Sequence, residues 1–225
     1  MTEKTEEKTT DSSELGQEIF KVAIGQQADV GTEKSRTVAL YEDLNEESAS
    51  MLVGSLMYLH ENGCYEEPEE VENEEGDGEE EVTYKKVWEP IRVVVSSHGG
   101  VAHEMFSVYD TMRMIKKDCE IETLGLGKVM SAAVLLLAAG TKGKRKIGMN
   151  CRVMLHPVAG GAIGDVQDIE NDTAEMKKVQ KQYIKCLAQE TNLTEKRIRR
   201  IMKKKLNCYI SAEEAVEMGI ADEII

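Results

Sequence analysis

The residue best placed to do chemistry is Ser131, which begins a small and apolar stretch at 127–140. A serine at the first turn of a helix lies close to unpaired backbone N–H groups and to the positive end of the helix dipole. Those groups can stabilise the negative oxygen that forms during acyl transfer. A second interpretation is that Ser131 only caps the helix, which is a common use of serine. Taken alone, the residue favours the capping role, so the choice depends on the rest of the chain.

A serine nucleophile needs a base, and the histidines are the natural candidates for it. His60 and His103 fall within helices and are expected to face solvent, whereas His98 lies in a glycine turn and is ambiguous. His156 ends an apolar strand just before a glycine-rich segment, where a side chain can face a cleft at the edge of a sheet. A structural role for His156 is equally compatible with the sequence.

The glycine turn at 97–100 offers the third requirement, a donor for the oxyanion. Glycines between a strand and a helix let a backbone N–H point outward, toward an oxyanion or toward a phosphate. The phosphate interpretation fails on spacing, because the chain has no Gly-x-x-x-x-Gly-Lys-[Ser/Thr] motif. The sequence therefore predicts no ATPase site and no cofactor.

The elements that position these residues alternate between strand and helix. A β-branched run at 91–95 is typical of a buried parallel strand, and Ser211 with Glu214 forms a capping box. The alternation predicts an α/β fold with a mainly parallel sheet. Strands are expected at 36–41, 91–95, 121–126, 151–156 and 220–225, and helices at 45–63, 105–117, from 131, 166–189, 194–205 and 211–219.

Composition limits the class of partner. The 225 residues are enough for one domain with a sizeable core, and the net charge of −14 argues against nucleic acid or an anionic membrane as the main partner. Eleven acidic residues and no Lys or Arg lie at 66–81, so the rest of the chain has a net charge of only −3. We expect a flexible arm at 1–35 and a folded domain at 36–225, interrupted by a disordered acidic insertion at about 64–86.

Cysteine usage and the lack of long apolar runs indicate the compartment. Five cysteines without a Cys-x-x-Cys pair fit reduced thiols better than disulfides or a zinc site. Neither a signal peptide nor a run of membrane-spanning length is recognised. The sequence therefore predicts a cytoplasmic protein with no metal site.

Short motifs, in order across most of the chain, resemble the proteolytic-subunit family of the Clp protease (ClpP), a self-compartmentalised serine peptidase. They lie at 109–112, 140–145, 152–156, 160–161, 168–170, 211–215 and 219–222. The resemblance runs from about 36 to 225, outside the acidic insertion. It implies the spiral of β-α-β units that this family shares with the crotonases, with a protruding handle helix from 166 onward.

The resemblance also implies the active-site roles. Ser131 would attack the peptide carbonyl, His156 would take the serine proton, and Asn207 would orient the histidine. The backbone N–H groups of Gly100 and Ala132 would stabilise the oxyanion. Substrate would lie as an added strand on Gly160, Gly161 and Ala162.

Two departures from the family concern activity. Asp is usual where Asn207 stands, and an alignment without the small upstream insertion would put Lys205 there. Replacing this Asp by Asn favours the wrong histidine tautomer and costs about 10⁴ in kcat in a serine protease. The family's Ser-Met-Gly reads Ser131-Ala132-Ala133 here, which is expected to tighten or reshape the cleft.

Two further departures concern the surface around the site. Arg92 and Val94 stand where the family has aromatic residues that line its ATPase-docking pocket, and a charged arginine is a poor wall for such a pocket. His98 replaces a proline of the oxyanion turn, and the acidic insertion is additional. Docking of the usual ATPase is therefore expected to be altered.

The resemblance implies an ATP-dependent serine endopeptidase subunit that hydrolyses unfolded polypeptides inside stacked heptameric rings, with an AAA+ ATPase as partner. One alternative is a weak or inactive structural subunit that co-assembles with an active ClpP paralogue. Another is a crotonase-type enzyme acting on acyl-CoA, against which the matched pair of Ser131 and His156 argues.

Overall fold

The computed structural model describes residues 35–69, 83–203 and 207–225. The described residues from Val38 onward belong to one compact unit. The expected arm at 1–35 lies almost wholly outside the described residues. The strands of the described part are β1 (Thr37–Leu40), β2 (Cys64–Glu69), β3 (Thr83–Trp88), β4 (Ile91–Ser97), β5 (Ile121–Met130), β6 (Arg145–Ile147), β7 (Arg152–Leu155), β8 (Cys208–Ile210) and β9 (Glu223–Ile224).

The main sheet confirms the predicted α/β fold with mainly parallel pairing. Its order is β1-β4-β5-β6-β9, and β7 joins it by pairing with β5. The pairs β4–β5, β5–β6, β5–β7 and β6–β9 are parallel, whereas β7–β8 is antiparallel. The length of β5 lets it pair with β6 at 123–125 and with β7 at 128–130. The C-terminal end of β5 therefore lies beside the C-terminal end of β7.

The helices cover the sheet and agree with the predicted pattern. The first, α1, begins after a capping box between Asn45 and Ser48. The longest, α4, is exposed over its first half and buried over its second, as expected of a protruding handle helix. The helices are α1 (Glu46–Glu61), α2 (Ala102–Ile115), α3 (Ala132–Ala138), α4 (Val166–Glu190), α5 (Glu195–Lys203) and α6 (Ala212–Glu217).

The centre of the core is α3, in which every residue is buried. It packs against α2, α4 and β5, and its alanines let these neighbours approach closely. Strands β4 and β5 contribute Ile91, Val93, Val95 and Ile121, all fully buried. A helix so enclosed cannot shift without disturbing the core, so the residue that precedes it is held in place.

The expected disorder at 64–86 is wrong for the two ends of this segment. Strands β2 and β3 form an antiparallel pair outside the main sheet, in which Glu66 faces Lys86 and Glu67 faces Lys85. Opposite charges on facing strands stabilise such a pair. The ring of Trp88, at the end of β3, stacks on His60 of α1. Residues 70–82, which hold most of the acidic run, lie outside the described residues.

Candidate active site

Ser131 lies at a sharp turn between the end of β5 and the start of α3. Its backbone has φ 55° and ψ −123°, and it is the only non-glycine residue of the described ranges with a positive φ. A strained strand-to-helix turn of this kind exposes a nucleophile at the end of a sheet. The serine side chain makes no capping hydrogen bond. The capping interpretation of Ser131 is therefore wrong, and its hydroxyl is available for other chemistry.

Three hydrogen bonds hold this turn in its strained conformation. The Ser131 N–H donates to the carbonyl oxygen of Met154 in β7 (2.8 Å). The Ser131 carbonyl accepts from the N–H of Val134 (3.1 Å) and from the hydroxyl of Tyr183 in α4 (2.7 Å). Such a conformation costs about 1–3 kcal/mol and persists only where its surroundings hold it. Helix α4 is therefore one of the elements that position the serine.

One cleft of about 420 Å³ brings together four of the predicted site residues. Ser131 and His156 line it together with Gly100 and Ala132, the two predicted oxyanion donors. The other lining residues are mainly apolar, which lowers the polarity around the serine. They are Val101, Ala102, Met105, Pro157, Val158, Ala159 and Tyr183.

The glycine turn after β4 packs directly against the serine turn. A Cβ atom added to Gly99, whose φ is +99°, would lie 2.7 Å from the Cβ of Ser131 and 2.8 Å from the backbone nitrogen of Ala132. Only glycine allows this close approach and this φ. Within the described ranges, the N–H groups of Gly100 and Ala132 donate no recorded hydrogen bond. Two unused donors therefore border the cleft beside the serine.

His156 directly follows β7 and is half-buried at the wall of the cleft. Its Nδ1 atom lies 2.5 Å from the carbonyl oxygen of Pro157. A carbonyl can only accept, so this contact assigns the proton to Nδ1 and leaves Nε2 as an acceptor. That is the tautomer a general base requires. No hydrogen bond between the Ser131 hydroxyl and the ring is recorded in the described part of the chain.

His156 and Asn207 adjoin the last paired residues of β7 and β8. The antiparallel pairing ends with Leu155 matched to Cys208, which His156 follows and Asn207 precedes in the chain. The Asn207 side chain is exposed and has no recorded hydrogen bond to any residue that the structure describes. Lys205, the other candidate for this position, lies outside the described residues.

The predicted substrate segment continues from the wall of the cleft. Gly160 packs against α4, where an added Cβ would lie 2.8 Å from the Sδ of Met176. Gly161 and Ala162 follow it in a stretch without regular structure. The N–H of Val158 donates to Gln180 Oε1 at 3.2 Å. None of the three predicted residues lines the cleft itself.

The other histidines lie away from the cleft lining. His103 is exposed, as expected, and the ambiguous His98 is exposed with its Nδ1 3.3 Å from Asp43. His60 is not simply solvent-facing, because it is half-buried, stacks on Trp88 and bonds to Asp118 at 3.0 Å. Of the four histidines, only His156 lines this cleft.

A comparison with known families identifies the family of this chain. A family model described as Clp protease matches residues 83–225, which is more than half of the chain. The chain belongs to the Clp protease family. The matched part includes both turns that border the cleft, His156 and the long helix α4, so the family assignment agrees with a ClpP-like peptidase. Strands β1 and β2 and helix α1 lie before the match.

Sequence reasoning missed Tyr183, which lines the cleft and holds the serine turn. A tyrosine within an amphipathic helix is most often a core residue, so the sequence carried no signal for its contact. In the described ranges no cluster of three or more His, Cys, Asp or Glu could hold a metal ion. None of the helices described there is long and apolar enough to cross a membrane.

Proposed function

We propose that this protein is a Clp-type serine endopeptidase subunit. The observation that carries the proposal is the single cleft in which a strained serine, a histidine and two unused backbone donors meet. Acyl transfer needs these three components: a nucleophile, a base and an oxyanion site. The family assignment supports the same reaction class.

In the proposed reaction the Ser131 oxygen bonds to the substrate carbonyl carbon while its proton passes to Nε2 of His156. The negative oxygen of the tetrahedral intermediate accepts hydrogen bonds from the N–H groups of Gly100 and Ala132. The intermediate collapses as the C–N bond breaks, and the histidine returns its proton to the leaving amine. Water then hydrolyses the acyl-enzyme with the same histidine as base.

Asn207 is proposed as the third member, and the pairing of the adjacent residues Leu155 and Cys208 supports this proposal. Its amide oxygen can accept from the Nδ1–H of His156, but it cannot stabilise the imidazolium as a carboxylate does. In the structure the Nδ1 atom of His156 contacts the Pro157 carbonyl oxygen instead of Asn207. We therefore infer a working triad with a lower rate than one that contains Asp.

We propose that substrate lies extended along Gly160, Gly161 and Ala162, where it adds a strand to the backbone. This segment has no regular structure, and a Cβ added at Gly161 would meet nothing within 4 Å, which leaves room for an approaching main chain. Backbone hydrogen bonds of an added strand give affinity without demanding particular side chains. This suits a peptidase that degrades unfolded polypeptides.

Assembly into stacked heptameric rings and work with an AAA+ ATPase are proposed from the family. Arg92 is exposed on β4 and pairs with Glu122 of β5 at 3.0 Å. Val94 is half-buried beside this pair. The ion pair makes the expected docking surface polar, so we propose an altered ATPase contact. The five cysteines, all within the described ranges, are present as thiols, which supports a cytoplasmic location.

A second candidate function is a structural subunit that joins an active ClpP paralogue. Two observations favour it: the serine and histidine side chains share no hydrogen bond in the described ranges, and the Nδ1 atom of His156 contacts the Pro157 carbonyl instead of Asn207. Catalytic hydrogen bonds are, however, often long before substrate binds. The active subunit is therefore the better-supported proposal.

Hydrolysis of short fluorogenic peptides tests the proposal. We expect the wild-type protein to cleave them, and Ser131→Ala to lose roughly 10⁴-fold or more of kcat. Ser107→Ala, on the exposed side of α2, is the matched control and should keep full activity. An assembled wild-type protein that neither cleaves peptides nor reacts with a fluorophosphonate probe would favour the structural subunit.

A further inference from the structure

Tyr183 reaches the serine turn from α4. The residue is only 4% exposed, and its hydroxyl donates to the Ser131 carbonyl at 2.7 Å, across 52 residues of sequence. Burial raises the pKa of this hydroxyl, so it stays protonated and remains a donor. Its ring also lines the cleft. The mechanism proposed above gives this tyrosine no part.

The carbonyl that Tyr183 holds belongs to the same peptide unit as a proposed oxyanion donor. The peptide between Ser131 and Ala132 joins the serine C=O to the alanine N–H in one plane. A trans peptide points its C=O and its N–H in opposite directions. Fixing the direction of the C=O therefore fixes the direction of the Ala132 N–H.

Two donors fix this plane, from two different elements. The Val134 N–H approaches the Ser131 carbonyl at 3.1 Å from within α3, and the Tyr183 hydroxyl approaches it at 2.7 Å from α4. The backbone before the plane is strained, with φ 55° at Ser131. Without the Tyr183 hydroxyl, only the longer bond from the Val134 N–H holds the Ser131 carbonyl. The peptide plane can then rotate, and the Ala132 N–H no longer points at the oxyanion.

We propose that Tyr183 is a positioning residue of the peptidase, which aims the Ala132 N–H at the oxyanion by anchoring the opposite end of the same peptide. This inference rests on the proposed function. An oxyanion donor acts on the transition state more than on bound substrate, so the contribution of Tyr183 belongs to kcat and not to KM.

Tyr183→Phe tests this, because it removes the hydroxyl and keeps the ring. Tyr109→Phe is the matched control: Tyr109 is equally buried, and its hydroxyl bonds to Glu190 at 2.8 Å, outside the cleft lining. Complete loss of one oxyanion donor costs roughly 10²–10³ in kcat. We expect Tyr183→Phe to lower kcat by roughly 10- to 100-fold with KM unchanged, and Tyr109→Phe to leave both constants unchanged.

Hydrogen exchange of the Val134 amide is a second readout that needs no activity. We expect faster exchange in Tyr183→Phe than in wild type, and no change in Tyr109→Phe. Unchanged kcat and unchanged exchange in Tyr183→Phe would overturn the inference, as would an equal loss of kcat in both variants. An inactive wild type would instead refute the proposed function, and exchange alone would then decide whether Tyr183 holds the turn.

Discussion

At the scale of single residues, Asn207 limits the proposed reaction most. It adjoins the strand pair that leads to His156, but an amide does not stabilise the imidazolium that forms during catalysis. We expect Asn207→Asp to raise kcat by at least about tenfold, with a ceiling near the 10⁴ that the reverse change costs in a serine protease. Steady-state hydrolysis of a fluorogenic peptide measures this. Asn171→Asp adds the same charge on the exposed part of α4 and should change nothing.

A lower kcat in Asn207→Asp would contradict the role given to this residue and would leave the Pro157 carbonyl as the group that orients His156. The sequence offered Ser131 and His156 as candidates because of local neighbours, an apolar helix after one and a strand before the other, and the family resemblance assigned their roles. The sequence could not predict that His156 Nδ1 contacts the Pro157 carbonyl or that the Tyr183 hydroxyl donates to the Ser131 carbonyl. Both contacts depend on side-chain placement in the folded chain.

At the scale of elements, the glycine turn after β4 and the serine turn after β5 must fit each other. A Cβ on Gly99 would contact the serine turn at 2.7–2.8 Å and require a φ of +99°. We expect Gly99→Ala to push the turns apart and to lower kcat by roughly 10²-fold, because small misplacements at a reacting centre are that costly. Gly54→Ala in α1 is the control, since nothing lies within 4 Å of its added Cβ. It should raise the free energy of unfolding by about 0.5–1 kcal/mol and leave kcat unchanged. Equal activity of both variants would contradict this fit.

Elements with long and periodic patterns are the ones that the sequence predicted. Helix α4 was expected at 166–189 and runs Val166–Glu190, and the capping box of α6 at Ser211 is present. Strands β6 and β8 were missed, because three residues are too few to show a period. The sequence predicts disorder over β2 and β3 because acidic residues dominate the composition of this segment. The pairing depends instead on cross-strand partners such as Lys86.

At the scale of the whole molecule, Arg145 joins distant parts of the chain. Its side chain is 3% exposed and donates to the carbonyls of Ala138, Glu190 and Gly219 and to the carboxylate of Asp222. These acceptors lie at the ends of α3, α4 and α6 and before β9. A buried guanidinium is tolerated only when its donors are satisfied, so this cluster couples the core helix behind Ser131 to the C-terminal elements.

The carboxylate of Asp222 makes the stability of this arrangement depend on pH. Burial acts to raise its pKa, but hydrogen bonds from the Arg145 side chain and from the backbone N–H groups of Arg145 and Gly143 outweigh burial and lower it. A lowered folded pKa gives stability that is present above the unfolded value of about 3.9 and is lost as the pH falls through the folded value.

Asp222→Asn should therefore reduce the free energy of unfolding by about 3 kcal/mol at pH 7, since it leaves the buried Arg145 without its charged partner. The difference from wild type should shrink as the pH falls below about 4 toward the lowered folded pKa, because the Asp222 carboxyl of the unfolded wild-type chain takes up a proton there first. Urea unfolding of both proteins between pH 3 and pH 7 measures this, with Asp172→Asn on the exposed part of α4 as the control. A difference that stayed constant over this range would mean that the shape of the Asp222 side chain, and not its charge, holds Arg145 and the elements around it.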